Sequence, residues 1–478
     1  MTTFKSSAKK FLEDMPTRTE NGMRAYATSK SKVLDFFGKA GSSRGTDLTK
    51  SFFAAFNEDA DLAIRTLLWT RDVRGGAGER GQFRTILASI EKDNAEVAGV
   101  IMSKIPEIGR WDDLFVYKNA VNRKKAFEMI ETALKDGNGL AAKWMPRKGE
   151  NAVELRRFLA MTPKAYRKML VNLTNVVESK MCAKEWNEIN FSQVPSLAAA
   201  RYQKAFSRNA KEAYDKYAIE LAKPEAERDS KVKINSGAVY PYDVVKSVRH
   251  GNASVANSQW NALPNFIGDS KIIPMVDVSG SMSFRLGKAG NDPLTALTAL
   301  DVAVSLGLYV SEKNKSDFKD MLLTFSSHPK IDIIKGSLSQ RIKQLEKQNW
   351  GFDTNLHAAF DLILDVAIKG RVQEKDMPEM LLILSDMQFN SCTRYDDSAM
   401  QMIARKYENA GYEMPKIVFW NLSPYGDTNT PVRFDSNGVC LVSGFSPAIM
   451  TSVLADDLEE FTPMNVMLKT IMAERYNY

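Results

Sequence analysis

From Asp47 to about Lys223 the apolar residues recur at helical spacing, in runs such as LTKSFFAAF, ADLAIRTLLW, FRTILASIEK, RKKAFEMIETALK and AVELRRFLAMTPKAYRKMLVNLTNVVESK. Gly or Pro interrupts these runs every 15–30 residues, which predicts short helices joined by tight turns. Stacked pairs of the HEAT-like repeat type would satisfy the pattern, although no strict period recurs and the spacing does not decide whether the array closes into a ring. Residues 1–45, rich in Ser, Lys and Gly, read as a basic, partly mobile arm. KPEAERDSKVKINSG (223–237) is charged and poor in large apolar side chains, so it reads as a link or cap between two halves.

After Asn265 the pattern changes. KIIPMVDVS (271–279), DFKDMLLTFS (317–326), MLLILSDMQF (380–389), PKIVFWNLS (415–423) and GVCLVSGF (438–445) are near-continuous apolar runs, as expected of strands buried on both faces. Between them, residues 294–313, 354–370 and 398–411 have helical spacing. The alternation predicts a doubly wound, Rossmann-like α/β domain with its ligand site at the carboxyl ends of the strands. The expected class is therefore α plus α/β: an arm over 1–45, a helical repeat domain over 46–265 and the α/β domain over 266–478.

Charge sharpens this division. The 478 residues carry 65 Lys+Arg and 58 Asp+Glu, a net of +7. Residues 1–250 hold 44 of the basic and 31 of the acidic side chains, a net of +13, which leaves the remainder at −6. A basic helical half suits a polyanion, nucleic acid ahead of a membrane surface, because no apolar run reaches the ~20 residues of a spanning helix. The amino terminus lacks the apolar core of a secretory signal. Cys182, Cys392 and Cys440 are far apart with no CxxC, which excludes a disulfide framework and a cysteine-rich zinc site and fits a reducing, cytoplasmic setting.

The candidate chemistry lies in MVDVSGSMS, where Asp277, Ser279 and Ser281 leave the first predicted strand in D-x-S-x-S spacing. A carboxylate and two hydroxyls on one strand-end loop can converge hard oxygens on a small cation, and Mg²⁺ needs few protein ligands because it keeps several waters. Thr354 in WGFDTNLH and Asp386 in LLILSDMQF fall on the same expected rim. This set resembles the metal-ion-dependent adhesion site of the von Willebrand factor A domain. The resemblance implies Mg²⁺ or another divalent cation held by Asp277, Ser279, Ser281, Thr354 and Asp386, with an open position for an acidic side chain of a protein partner.

RDVRGGAGERGQFR (71–84), IGRWDDLF (108–115), KWMPRKGE (143–150), VPSLAAARYQKAF (194–206), INSGAVYPYDVV (234–245) and LVSGFSP (441–447) resemble a bacterial and phage family similar in layout to the Ro autoantigen, whose TROVE module joins a ring of helical repeats to an A-type domain. That likeness implies RNA binding, of structured RNA on the outer surface and of single-stranded ends through the ring. The basic candidates are Arg71, Arg74, Arg80, Arg84, Arg110, Lys143, Arg147, Lys148, Arg156, Arg157, Arg167 and Lys168, with Trp111 and Trp144 available for stacking. The bland alternatives are that RGGAGERG is a tight interhelical turn and that Trp111 and Asp112 pack and cap between helices.

The expected function is thus a Ro-like RNA-binding scaffold or quality-control factor, not an enzyme. The alternative is a metal-dependent protein-interaction module without RNA, and a minor alternative is a metal-dependent nuclease or phosphatase. No GxSxG elbow or P-loop occurs, and His250, His328 and His357 fall at no metal-ligand spacing.

Overall fold

The computed structural model describes residues 16–18, 24–174, 176–223, 227–236, 239–249, 253–286, 297–325, 329–347, 355–389, 399–423, 430–431, 433–454 and 460–478. Helices of nine or more residues are labelled in order. In the first half they are α1 (Lys32–Ala40), α2 (Thr49–Glu58), α3 (Ala60–Arg71), α4 (Arg80–Asp93), α5 (Ala120–Lys135), α6 (Glu150–Phe158), α7 (Pro163–Leu173), α8 (Ser196–Asn209), α9 (Lys211–Ala222), α10 (Pro241–Arg249) and α11 (Ala253–Asn261). Their starts follow capping chemistry: Asp59 accepts from the Leu62 N–H, Asn119 from Val121 and Thr162 from Ala165, and Pro163 occupies the first turn of α7.

Two short strands, β1 (Pro16–Arg18) and β2 (Arg24–Tyr26), pair near the amino terminus. The second half is built on a six-stranded sheet of β3 (Ile272–Asp277), β4 (Met321–Phe325), β5 (Lys330–Ile333), β6 (Met380–Ser385), β7 (Lys416–Asn421) and β8 (Val439–Ser443), in the order β5-β4-β3-β6-β7-β8. All neighbours are parallel except the β4–β5 edge pair. Successive residues alternate between two cores. Ile272, Val276, Leu382, Leu384, Val418 and Trp420 face one side, and Ile273, Met275, Leu381, Ile383, Ile417 and Phe419 the other. Helices cover both faces, α12 (Ala299–Lys313) on the first and α14 (Leu356–Gly370) with α15 (Ala399–Asn409) on the second, so the doubly wound expectation holds. α13 (Leu338–Glu346) and α16 (Pro463–Ile471) complete the set and, like β5, were not anticipated.

One expectation needs correcting. The stretch assigned to a mobile arm contains α1, whose Val33, Leu34, Phe36, Phe37 and Ala40 are buried where the helix packs both on α2 and α3, Phe36 against Phe52 and Phe37 against Trp69, and on the end of β8. Ser31 caps its first turn, and Ser443 at the end of β8 serves its last, accepting from the Gly41 N–H at 3.0 Å and donating to the Phe37 carbonyl at 3.0 Å. A polar run before an amphipathic helix resembles a tail in composition, but burial of two phenylalanines is enough to fix it.

The helical array returns to its start. Tyr240 and Tyr242, at the head of α10, meet the segments that follow α1 and α3: the Tyr240 hydroxyl donates to the Val73 carbonyl at 3.5 Å, and Arg44 reaches the Tyr242 hydroxyl at 3.4 Å. Gly78, at φ +75°, allows this approach, since a Cβ there would lie 2.3 Å from the Tyr240 hydroxyl. One core cluster runs from Val33 through the helices to the sheet and Tyr476. Among the described residues no helix is long and apolar enough to cross a membrane.

Candidate metal centre and nucleic-acid surface

β3 and β6 lie side by side with Val276 opposite Leu384, so their carboxyl ends deliver Asp277 and Ser385 to one place. Asp277 is fully buried. One carboxylate oxygen accepts the Ser279 N–H at 2.9 Å and the other the Ser385 hydroxyl at 2.6 Å. The Ser279 and Ser281 hydroxyls are 2.9 Å apart, with Ser281 exposed at the rim. Asp386, 3% exposed, accepts the Gln388 N–H at 3.1 Å. Burial, and then the charge of Asp386, push the Asp277 carboxyl up to about 7.

Four of the five expected ligands are therefore described on one edge of the sheet. Thr354 lies outside the described residues. Two repelling carboxylates with two hydroxyls form a hard-oxygen donor set that suits Mg²⁺ in kind. Among the described residues no cluster of three His, Cys, Asp or Glu side chains could hold a metal, so a zinc-type site has no support there. Ser385 was missed, although it stands next to Asp386 in LLILSDMQF. Only the strand register reveals that it orients Asp277. His357 is engaged away from this centre, with Nδ1 3.1 Å from Asp361 and Nε2 2.6 Å from Lys406.

The basic candidates separate into two groups. Arg71 is buried, its Nε 2.7 Å from a carboxylate oxygen of fully buried Asp113. Arg84 binds the other oxygen of Asp113 at 2.5 Å and lies 2.9 Å from Asp112. Arg110 grips Asp112 through Nε at 2.8 Å and through Nη2, while its N–H donates to Asp113 at 2.9 Å. These arginines knit α3, α4 and the turn at Trp111–Val116 together. Arg71, being buried, is corrected from an RNA contact to a structural one, and Arg84 is committed through its ion pairs to Asp113 and Asp112. Trp111 packs against the core, as the bland reading had it, and lines an open groove.

The other group faces water. Arg74, Arg80, Arg147, Lys148, Arg157, Arg167 and Lys168 are exposed, and Arg156, Lys143 and Trp144 half-buried. The Arg110 guanidinium stacks 3.6 Å from the Trp144 ring centre, and the Lys143 ammonium is 5.5 Å from the same ring. The glycines of RGGAGERG make a tight turn: a Cβ at Gly76 would meet the Trp69 carbonyl at 2.0 Å.

Two family models match the chain, both described as domains of unknown function: DUF2828 over residues 127–270 and DUF7788 over 271–473. They meet immediately before β3. The uncharacterized protein L728 of Acanthamoeba polyphaga mimivirus is 28% identical over 516 residues, covering 95% of this chain and 86% of that protein. Among solved structures, the RO (RSR) protein of Deinococcus radiodurans aligns with 93% of this chain and 100% of its own, at 15% identity and a TM-score of 0.45.

Proposed function

We propose that this protein is an RNA-binding scaffold of the Ro-like kind, which grips RNA through the basic surface of its helical half and docks a partner at a Mg²⁺ site in its α/β half. The observation that carries the reading is the stretch from Lys143 to Lys168. It holds eight basic side chains against Glu150 and Glu154, and among the described residues none of the eight forms an ion pair, Glu154 being held by Arg123. Unpaired Lys and Arg side chains recruit phosphates with little regard for sequence. The motif resemblance to the Ro layout supports the same reading. The role is one of binding rather than catalysis.

In the α/β half, Asp277, Ser279, Ser281 and Asp386 would hold the ion together with Thr354. When bound, it would offer an open coordination position to a carboxylate. The alternative, a metal-dependent interaction module without RNA, draws on the same two buried carboxylates.

Fluorescence anisotropy with single-stranded and structured RNA decides between them. Affinity should fall steeply with salt, and Arg156→Ala with Arg157→Ala should weaken it and flatten the salt dependence. Absence of binding at low salt would sink the RNA reading. Asp277→Ala with Ser279→Ala should leave RNA affinity unchanged and remove the rise in Tm that Mg²⁺ gives the native chain. A Tm indifferent to Mg²⁺ in the native chain would refute the metal site.

A further inference from the structure

We propose that Arg80, Arg110 and Lys143 form a phosphate-binding subsite that holds the backbone of an RNA strand, set on the ion-paired platform of Asp112 and Asp113. The inference rests on the RNA-binding reading above and names where the strand is gripped.

Charge is out of balance at this cluster. Arg71, Arg80, Arg84 and Arg110 gather about two carboxylates, and Lys143 lies beside the Trp144 ring on which Arg110 stacks. Asp113 is taken up by Arg71, Arg84 and the Arg110 N–H, and Asp112 by Arg84 and Arg110. Arg80 is exposed and, among the described residues, has no ion pair of its own, while Arg110 and Arg84 lie close enough to disfavour its charge. Burial and then those two cations hold its guanidinium below the ordinary arginine range. Such crowding of like charges is unfavourable in the free protein and is relieved by an anion placed among them.

The cations are also preorganised. Arg110 is fixed on one edge by Asp112 and on one face by Trp144, so little side-chain entropy remains to be lost when it meets a phosphate. Lys143 is gathered on the same ring. The buried Nη2 of Arg84 lies 2.9 Å from Asp112 yet forms no aligned hydrogen bond. Glu79, just before α4, turns its carboxylate to Arg44 at 2.8 Å, so no side chain caps the first turn of α4 beside Arg80. An arginine fork matches phosphate oxygens in geometry as well as charge. A strand, rather than a free phosphate ion, is the fitting ligand because exposed Arg147 and Lys148 come four and five residues after Lys143 and offer further phosphate contacts.

The test compares the native chain with Arg80→Ala and Arg80→Glu, neither of which breaks an ion pair among the described residues. The probes are a labelled single-stranded oligouridylate, followed by anisotropy across a salt series, and inorganic phosphate, followed by thermal unfolding. Arg80→Ala should weaken oligouridylate binding about fivefold to tenfold and lower the magnitude of the salt slope by about 1, with Arg80→Glu weaker still. Equal affinity and slope in all three, when the native chain binds, would overturn the subsite and leave the RNA reading standing. A native chain that binds no oligouridylate would overturn both. A Tm raised by phosphate in the native chain alone, with RNA binding unaltered by either variant, would assign the cluster to the free ion and refute the strand.

Discussion

Asp243 shows how one side chain can set the pH response of a junction. It is the third residue of α10, accepts the Tyr240 N–H at 3.2 Å, and is pushed up to about 6 by burial, against the pull of Arg44 and Lys246. A carboxyl raised in the folded state binds its proton more tightly there than in the unfolded chain between about pH 4 and 6. Stability therefore falls as pH rises through that window, and the full penalty is present at neutrality. Asp243→Asn keeps an acceptor and removes the charge. It should be more stable than the native chain at pH 7 by roughly 1–2 kcal/mol, with the gap closing near pH 4 in urea titrations; a gap independent of pH would refute the assignment. The grouping of Asp277, Ser279, Ser281 and Asp386 was legible because D-x-S-x-S is local and Asp386 directly follows β6. The arginines were not, since Arg71 and Arg80 look alike in sequence and differ only in whether Asp113 lies within reach.

Elements with strong periodicity were legible to within a few residues: β6, β7 and β8, and the helices α2 to α5, whereas the run over 152–180 was read as one stretch that the fold divides into α6, α7 and a further short helix. β5 was missed because Lys330–Ile333 alternates weakly on an exposed antiparallel edge. α1 was hidden by the polar residues around it, and its docking depends on glycine. A Cβ at Gly41 would sit 2.2 Å from the Ser443 carbonyl oxygen, and one at Gly38 would lie 2.8 Å from Leu441 Cδ2. Backbone meets backbone at Gly41, so no rotamer change can make room. Gly41→Ala should cost about 3 kcal/mol by forcing α1 away from β8. Chemical denaturation would measure this, and a loss under about 0.5 kcal/mol, the size of an ordinary surface change, would show that α1 is not seated there.

For the molecule as a whole, Arg44 stands where four segments converge. Its Nε is 2.8 Å from buried Glu79, and its guanidinium lies 5.9 Å from the Tyr242 ring centre and 4.7 Å from that of Phe445. It thereby joins the start of the array, its return at α10 and the loop after β8. Arg44→Ala would strand the Glu79 carboxylate and should cost about 3–5 kcal/mol, with Arg44→Lys recovering only part because an ammonium cannot lie flat between two rings. Full recovery by lysine would show that charge alone matters there. The carboxyl-terminal residues add a second tie, since Arg475 and the Tyr476 hydroxyl both hold Asp72. The two-part architecture, the excess of basic charge in the first half and the hydroxyl–carboxylate motif could be read from the residues in order, because periodicity, composition and short spacing are properties of neighbours along the chain. Only the folded chain shows that the array returns to its start, that α1 is clamped between α2, α3 and β8, and that Arg71 is a buried prop while Arg80 stays exposed. Those outcomes depend on which distant groups share a low-dielectric interior, where an unpaired charge is costly and a paired one is fixed in place.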